Sequence, residues 1–334
     1  MSDPAEADRL EGRPHPREST ALVGHGASET ALLRAVNSRL PHAWIFGGPR
    51  GIGKATLAYR LAKALLVQGG AVKHLNSLET DPRHPVARRI VAGAHPDLLV
   101  VRRPADPKTG KLKSELPVDE VRRLGEFFAR HASEGGRRIA IVDSADELNR
   151  NAANALLKIL EEPPGGGLLI LIAHQPRALL PTIRSRCRLL TMGPLSTAEV
   201  QQVLDLVAPD LKNTAELAAL GGGSVGTALE MAAYDGPGLD AALKKVARSR
   251  GRDASAAHAL ANDVALAAQA PRFRLLLERL QAVFAEVAAA GNPAGFEAWQ
   301  LARELASAED ALNIDKRSIV LRLLERYAAI GRAA

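Results

Sequence analysis

The hydrophobic positions of the chain follow two regimes. In the first, helical stripes alternate with short apolar runs. From Glu29 to Leu40 the apolar residues fall at Leu32, Leu33, Val36 and Leu40, one face of a helix that Pro41 ends. Ala43 to Phe46 reads as a strand, the glycine-rich stretch Gly47 to Gly53 as a turn, and Lys54 to about Val67 as an alanine- and leucine-rich helix. Strand, glycine turn and helix form the first unit of an α/β domain. Further strands are predicted at Asp97 to Val101, Arg138 to Asp143, Leu168 to Ala173 and Arg188 to Met192. Helices are predicted at Val118 to His131 and Asn149 to Glu162, the latter closed by Pro163-Pro164, while Gly69 to Pro107 otherwise reads as loops and a short helix. Strands alternating with helices in this way imply a parallel sheet covered on both faces.

In the second regime, from Ser196 onward, every periodic segment is helical. Thr197 to Val207, Thr214 to Leu220 and Val225 to Ala233 come first, and longer helices follow from about Leu239, including Arg272 to Ala290 and Lys316 to Ile330. Gly221-Gly222-Gly223 and Asp235-Gly236-Pro237-Gly238 punctuate them. The fold class is therefore α/β followed by all-α, divided as a mobile polar tail (1–18), an α/β domain (19–192), a small helical domain (193–248) and a C-terminal helical domain (249–334). At roughly 150 residues per domain, 334 residues agree with two or three domains.

Composition narrows the function. The single cysteine, Cys187, excludes an intrachain disulfide and a multi-cysteine zinc site, and points to a reducing cytoplasm. No leader pattern and no membrane-length apolar run is present, so no membrane partner is expected. The net charge of +7 favours polyanionic partners, and aromatic residues at 3% argue against a base-stacking platform, so any nucleic-acid contact would be electrostatic. Arg88-Arg89, Arg102-Arg103, Lys108, Lys111, Lys113, Arg122-Arg123 and Arg137-Arg138 spread positive charge over the α/β domain, mostly as solvated surface. The densest run, Lys244, Lys245, Arg248, Arg250 and Arg252, reads first as a linker.

The strongest local motif is Gly48-Pro49-Arg50-Gly51-Ile52-Gly53-Lys54-Ala55, a phosphate loop whose final Ser/Thr is missing. In such a loop backbone N–H groups cradle phosphates, the lysine reaches the terminal ones and the hydroxyl ligates magnesium. Ala55 lacks that hydroxyl, and Thr56, rotated about 100° around the helix, does not replace it. Gly48, Gly51, Gly53, Lys54, Ala55 and Thr56 thus form a degenerate nucleotide site, at which ATP or ADP would bind weakly. Asp143 ends an apolar strand where phosphate-loop enzymes hold the magnesium shell; a buried strand that simply ends in aspartate is an equal reading. Ser144 stands where a water-polarising carboxylate would follow, and Asp146 and Glu147 read as turn and helix start.

Behind these come Asn154-Ala155-Leu156-Leu157-Lys158-Ile159-Leu160-Glu161-Glu162-Pro163-Pro164 and then Thr182-Ile183-Arg184-Ser185-Arg186-Cys187. The two runs in this order resemble the bacterial clamp-loader subunits of the AAA+ class. Gly24-His25, His95-Pro96-Asp97 and Leu116 to Val121 add to the likeness, which is strong over Ala21 to Met192 and weak beyond, through Gly223-Ser224-Val225 and Leu312-Asn313-Ile314-Asp315. The resemblance implies an AAA+ phosphate-loop domain, a helical lid and a C-terminal collar. It implies a ring member that helps load a sliding clamp on primed DNA and has no polymerase or ATPase activity of its own. Its implied partners are the motor subunits (tau/gamma), a delta subunit, the clamp indirectly and the primed DNA backbone, in the cytoplasm at replication forks. Arg186 is the position of an arginine finger acting in trans on the neighbour's ATP, a task suited to a fixed, forked cation. Read from the residues alone, Arg184, Arg186 and Arg188 alternate along an extended segment and are better taken as a solvated basic edge.

Departures from the family bear on the reading. Val67 to Ala94 has no cysteine where motor subunits carry a four-cysteine zinc module, and His74, His84 and His95 are not spaced to replace it, so zinc is not expected; His95 reads as a loop residue. Gly223-Ser224-Val225-Gly226 has glycine where motor subunits place a nucleotide-sensing arginine. Two other functions stay open: an active DNA-dependent AAA+ ATPase, as motor subunit or as branch-migration or initiation factor, and a nucleotide-independent scaffold of the loader.

Overall fold

A computed structural model describes residues 10, 12–20, 22–69, 74–106, 108, 110, 112–133, 136–163, 165–249, 254–312 and 315–330. Ala21, Lys111, Pro164, Arg250, Arg252, Asn313 and Ile314 lie outside the described residues, as do residues 1–9 of the expected tail. The chain divides into two compact units, 1–227 and 228–334.

The first unit opens with α1 (Gly26–Asn37), β1 (Ala43–Gly47), α2 (Lys54–Val67), α3 (Pro85–Val91), β2 (Leu98–Arg102) and α4 (Val118–Phe128). It continues with β3 (Arg138–Asp143), α5 (Arg150–Glu161), β4 (Gly167–Ala173), α6 (Pro181–Arg184), β5 (Arg188–Thr191), α7 (Thr197–Val207) and α8 (Thr214–Leu220). The strands form one sheet in the order β2-β3-β4-β1-β5, and each neighbouring pair is parallel. Because side chains alternate across a strand, each apolar run feeds two cores. Trp44, Phe46, Ile139, Ile141, Leu168 and Ile170 pack with Leu32, Leu57, Leu61, Leu65 and Ile90 of α1 to α3. On the other face Ala43, Ile45, Ala140, Val142, Leu169 and Leu171 pack with Val121, Leu124, Leu156 and Leu160 of α4 and α5. The parallel sheet covered on both faces is therefore present as expected.

Residues 12–18, by contrast, are no mobile tail. His15 is fully buried, and its ring stands edge-on to Tyr59 at 5.7 Å between centroids. The cause lies on α2, where Arg60 and Lys63 are buried within an otherwise apolar helix and need acceptors. Arg60 donates to the Thr20 carbonyl at 2.7 Å and Lys63 to the Arg17 carbonyl at 2.6 Å, and Arg13 pairs with Asp210 at 2.6 Å. Arg138 is likewise not solvated surface: it is 9% exposed and lies 4.0 Å over the Phe127 ring. Arg103 pairs with Glu147 at 2.7 Å. Arg122 and Arg123 do lie on an exposed helix face, paired with Asp119 and Glu120.

α9 (Val225–Ala233) crosses the division between the units. The second unit continues with α10 (Gly236–Ser249), α11 (Ala254–Ala265), α12 (Ala270–Ala289), α13 (Pro293–Leu312) and α14 (Lys316–Ile330). Its core gathers Leu239, Leu243, Leu260, Phe273, Leu276, Leu280, Phe284, Val320 and Leu323, the inward stripes of α10, α11, α12 and α14. Asp263 and Asp235 both pair with Arg272, at 2.8 and 3.2 Å. No helix among the described residues is long and apolar enough to cross a membrane.

Candidate functional site

The strand order places the ends of β1, β4 and β3 side by side, and there the degenerate phosphate loop, His174 and Asp143 meet. Crevices at strand ends are where open parallel sheets place ligands. The loop follows β1, and three of its glycines adopt positive φ: Gly48 at 150°, Gly51 at 72° and Gly53 at 104°. Lys54 begins α2 and is 3% exposed; its Nζ donates to the Gly48 and Pro49 carbonyls at 2.8 and 2.5 Å. Burial pushes its ammonium down to about 8, against the opposing charges of Asp143 and Asp146. The phosphate-reaching lysine is thus turned onto the carbonyls of its own loop.

The segment Ser224 to Gly226 lies against the same loop. Ser224 Oγ donates to the Arg50 carbonyl at 2.9 Å, and the Gly226 N–H donates to the Gly51 carbonyl at 3.0 Å. A Cβ on Gly51 would come within 2.8 Å of Gly226 Cα, so the two glycines allow the approach. His25 closes the other side, its Nε2 donating to the Ile52 carbonyl at 2.6 Å. Gly24-His25 and Gly223-Ser224-Val225, two pieces of the sequence likeness, therefore both serve the loop's packing.

Asp143 ends β3, and Ser144 Oγ donates to its Oδ1 at 3.2 Å. His174, just past β4, lies 2.9 Å from the same hydroxyl through Nε2. With the hydroxyl proton on Asp143, His174 donates from Nε2, and its buried Nδ1 has no hydrogen-bond partner. Asp146 lies in a short 3₁₀ turn, as its turn reading required, and Oδ2 accepts the His174 and Gln175 N–H groups, both at 2.9 Å. His174 has no partner near it in sequence, so its role was invisible there; the only signal is its place at the end of an apolar strand.

Burial, reinforced by the Lys54 charge, pushes the His174 imidazole down from 6.5 to about 4. Between these values the unfolded chain takes up a proton that the folded chain refuses, so stability falls as pH is lowered through that window. Urea unfolding is expected to show this loss, and His174→Asn to flatten it by about 1–2 kcal/mol near pH 4.5. Equal acid slopes in the two proteins would remove His174 as the cause.

Arg186 sits at the other end of the sheet. Arg184 ends the short helix α6, residues 185–187 form a turn, and only Arg188 enters β5, so the three arginines do not share one extended segment. In the parallel register Arg188 stands opposite Trp44 and Thr191 opposite Gly47. The turn with Arg186 therefore lies where β1 begins, whereas the phosphate loop lies where β1 ends. Four strand residues at about 3.3 Å each separate the two levels by roughly 13 Å. The Arg186 side chain is 36% exposed; its guanidinium donates to the Thr182 carbonyl at 3.0 Å and pairs with Glu161 at 2.9 Å. Burial pushes the neighbouring Cys187 thiol up to about 12, which leaves it unreactive.

His95 and Asp97 are structural. His95, 5% exposed, accepts the Asp97 N–H on Nδ1 at 3.2 Å, and the Asp97 carboxylate accepts the Ser133 N–H at 2.9 and 3.0 Å. His95 is thus a loop residue as expected, and a buried one that closes the turn onto Asp97. No group of three or more metal-ligating side chains occurs among the described residues.

The family described as DNA polymerase III, delta subunit has a model that matches residues 29–196, which hold the whole sheet, the phosphate loop and Arg186. The chain belongs to this family. Relatives named DNA polymerase III subunit delta' include one from Pseudomonas aeruginosa, 39% identical over 193 residues (56% of this chain, 54% of the relative). Another, from Bacillus subtilis, is 35% identical over 166 residues (50% of this chain, 46% of the relative). Subunit tau of Escherichia coli is 28% identical over 191 residues, 57% of this chain and 28% of the relative. The chain spans about half the length of the delta' relatives it matches. Among solved structures, a gamma subunit-related protein from Thermotoga maritima aligns at TM-score 0.44 and 17% identity, over 91% of this chain and 99% of that one.

Proposed function

We propose that the chain is a non-hydrolysing member of the clamp loader, a delta' subunit that presents Arg186 to ATP bound by an adjacent motor subunit. The observation that carries this reading is the separation of Arg186 from its own phosphate loop. An exposed arginine at the opposite end of the sheet has no use for that loop and is free to meet a neighbour's phosphates. There its fixed charge and forked donors would stabilise charge on the phosphoryl oxygens.

The nucleotide site of the chain itself argues the same way. Its residues do not fit a hydrolysable magnesium nucleotide: Ala55 offers no hydroxyl, Ser144 no carboxylate, and Lys54 is held by the Gly48 and Pro49 carbonyls. No step of the reaction is therefore assigned to this loop. In this reading 193–248 acts as the lid and 249–334 as the collar. The partners are the motor subunits and a delta subunit, with the sliding clamp and primed DNA reached through the assembled ring.

Two measurements test the proposal. The purified chain is expected to turn over ATP no faster than background with magnesium and primed DNA present; motor-like turnover would favour the active-ATPase reading. In the reconstituted loader, Arg186→Ala is expected to silence one neighbouring site, and normal turnover would favour the scaffold.

A further inference from the structure

The run Asn154 to Glu162 marks the family, yet the function above gives it no task. Most of it is explained by packing, since Leu156 and Leu160 enter the core beneath the sheet. Glu161 is not, because it is exposed at the last turn of α5. Its carboxylate makes one ion pair: Oε1 lies 2.9 Å from Nη2 of Arg186. Nη1 of the same guanidinium donates to the Thr182 carbonyl in α6 at 3.0 Å. The guanidinium is thereby spanned between the ends of two helices.

We propose that Glu161 is the positioning residue for Arg186, fixing the direction of its guanidinium before the neighbouring subunit arrives. This inference rests on the in-trans reading of Arg186. The Thr182 carbonyl takes one of the five N–H donors and Glu161 stands beside a second nitrogen, so the fork keeps donors for an outside phosphate. A long arginine side chain loses considerable rotamer freedom when it is fixed, and a scaffold that fixes it beforehand removes that cost from the step that needs it. Side-chain exposures of 36% and 50% make the pair too wet to matter for folding. Its consequence therefore falls on turnover rather than stability.

The test uses the loader reconstituted with motor subunits, sliding clamp and primed DNA, with thermal unfolding of each variant chain as a control. Glu161→Ala is expected to lower maximal ATP turnover at the site facing Arg186 by about 3- to 10-fold, the worth of one pre-ordered side chain, with KM for ATP unchanged. Glu161→Gln, which keeps an acceptor oxygen but loses the charge, should recover only part of the rate, and Glu162→Ala should match wild type. On an Arg186→Ala background, Glu161→Ala should lower the rate no further. A wild-type rate for Glu161→Ala beside a defective Arg186→Ala would overturn the positioning role and leave the finger intact. A raised rate would also overturn it, making the pair a restraint on the finger, and so would a further loss on the Arg186→Ala background. Normal turnover in Arg186→Ala would remove the finger reading and this inference together.

Discussion

Arg186→Ala is expected to reduce ATP turnover at the neighbouring site by about 1,000-fold, at the lower end of what an arginine supplied in trans contributes to phosphoryl transfer. The effect is large because the charge would act in a site closed between two subunits, where water is sparse and electrostatic stabilisation is strong. The chain itself should be untouched. The polar contacts of Arg186 among the described residues are to an exposed carboxylate and a carbonyl, and loss of an exposed ion pair costs less than about 1 kcal/mol. Arg186→Lys should fall between wild type and alanine, because lysine keeps the charge but loses the planar fork. Bulk turnover would drop only by the affected site's share, so the decisive measurement is single-turnover hydrolysis in a loader whose other sites are disabled. A wild-type rate there would make Arg186 a surface residue and the chain a scaffold.

The α/β half was legible because a parallel sheet buried on both faces writes its strands as unbroken apolar runs. Arg138–Asp143 and the helix Lys54–Val67 were read with their observed bounds for that reason. The N-terminal segment was not legible. Its anchor is a pair of backbone carbonyls accepting from Arg60 and Lys63, and a carbonyl has no signature in sequence. The same limit hid His174, whose partner Ser144 is remote along the chain. Arg186 was legible only through likeness to a family. The residues alone favoured a basic edge, and the parallel register of β5 on β1 adds only that its turn lies where β1 begins. Glu161 lay in full view within a recognised motif, but its contact to Arg186 depends on the turn after α6, which the sequence had suggested as extended.

Asp97→Ala is expected to cost the first unit about 3–5 kcal/mol, the range for removing one partner of a buried ion pair. The carboxylate is 1% exposed and accepts the Ser133 N–H on both oxygens, while Arg138 Nε lies 3.7 Å away. Arg138 is itself buried, held by the Phe127 ring, the His131 carbonyl at 3.4 Å and the Pro96 carbonyl at 3.2 Å. Without Asp97 its charge would face only a ring and two carbonyls, with no anion beside it. Asp97→Asn should cost less, about 2 kcal/mol, since one acceptor remains for Ser133. Removing both charges in Asp97→Ala/Arg138→Met should cost less than the two single losses combined, because the uncompensated cation is gone. Urea unfolding of wild type, Asp97→Ala, Asp97→Asn, Arg138→Met and the double variant measures this, and a loss under 1 kcal/mol for Asp97→Ala would mean that water reaches Arg138. The two alanine variants also separate stability from chemistry. Asp97→Ala should weaken the fold yet, below its unfolding transition, let an assembled loader turn over ATP normally, whereas Arg186→Ala should do the reverse. The two sites lie apart on one sheet: His95-Pro96-Asp97 secures the entry of β2, and Arg186 lies exposed in the turn before β5, where the proposed function has a neighbouring subunit meet it.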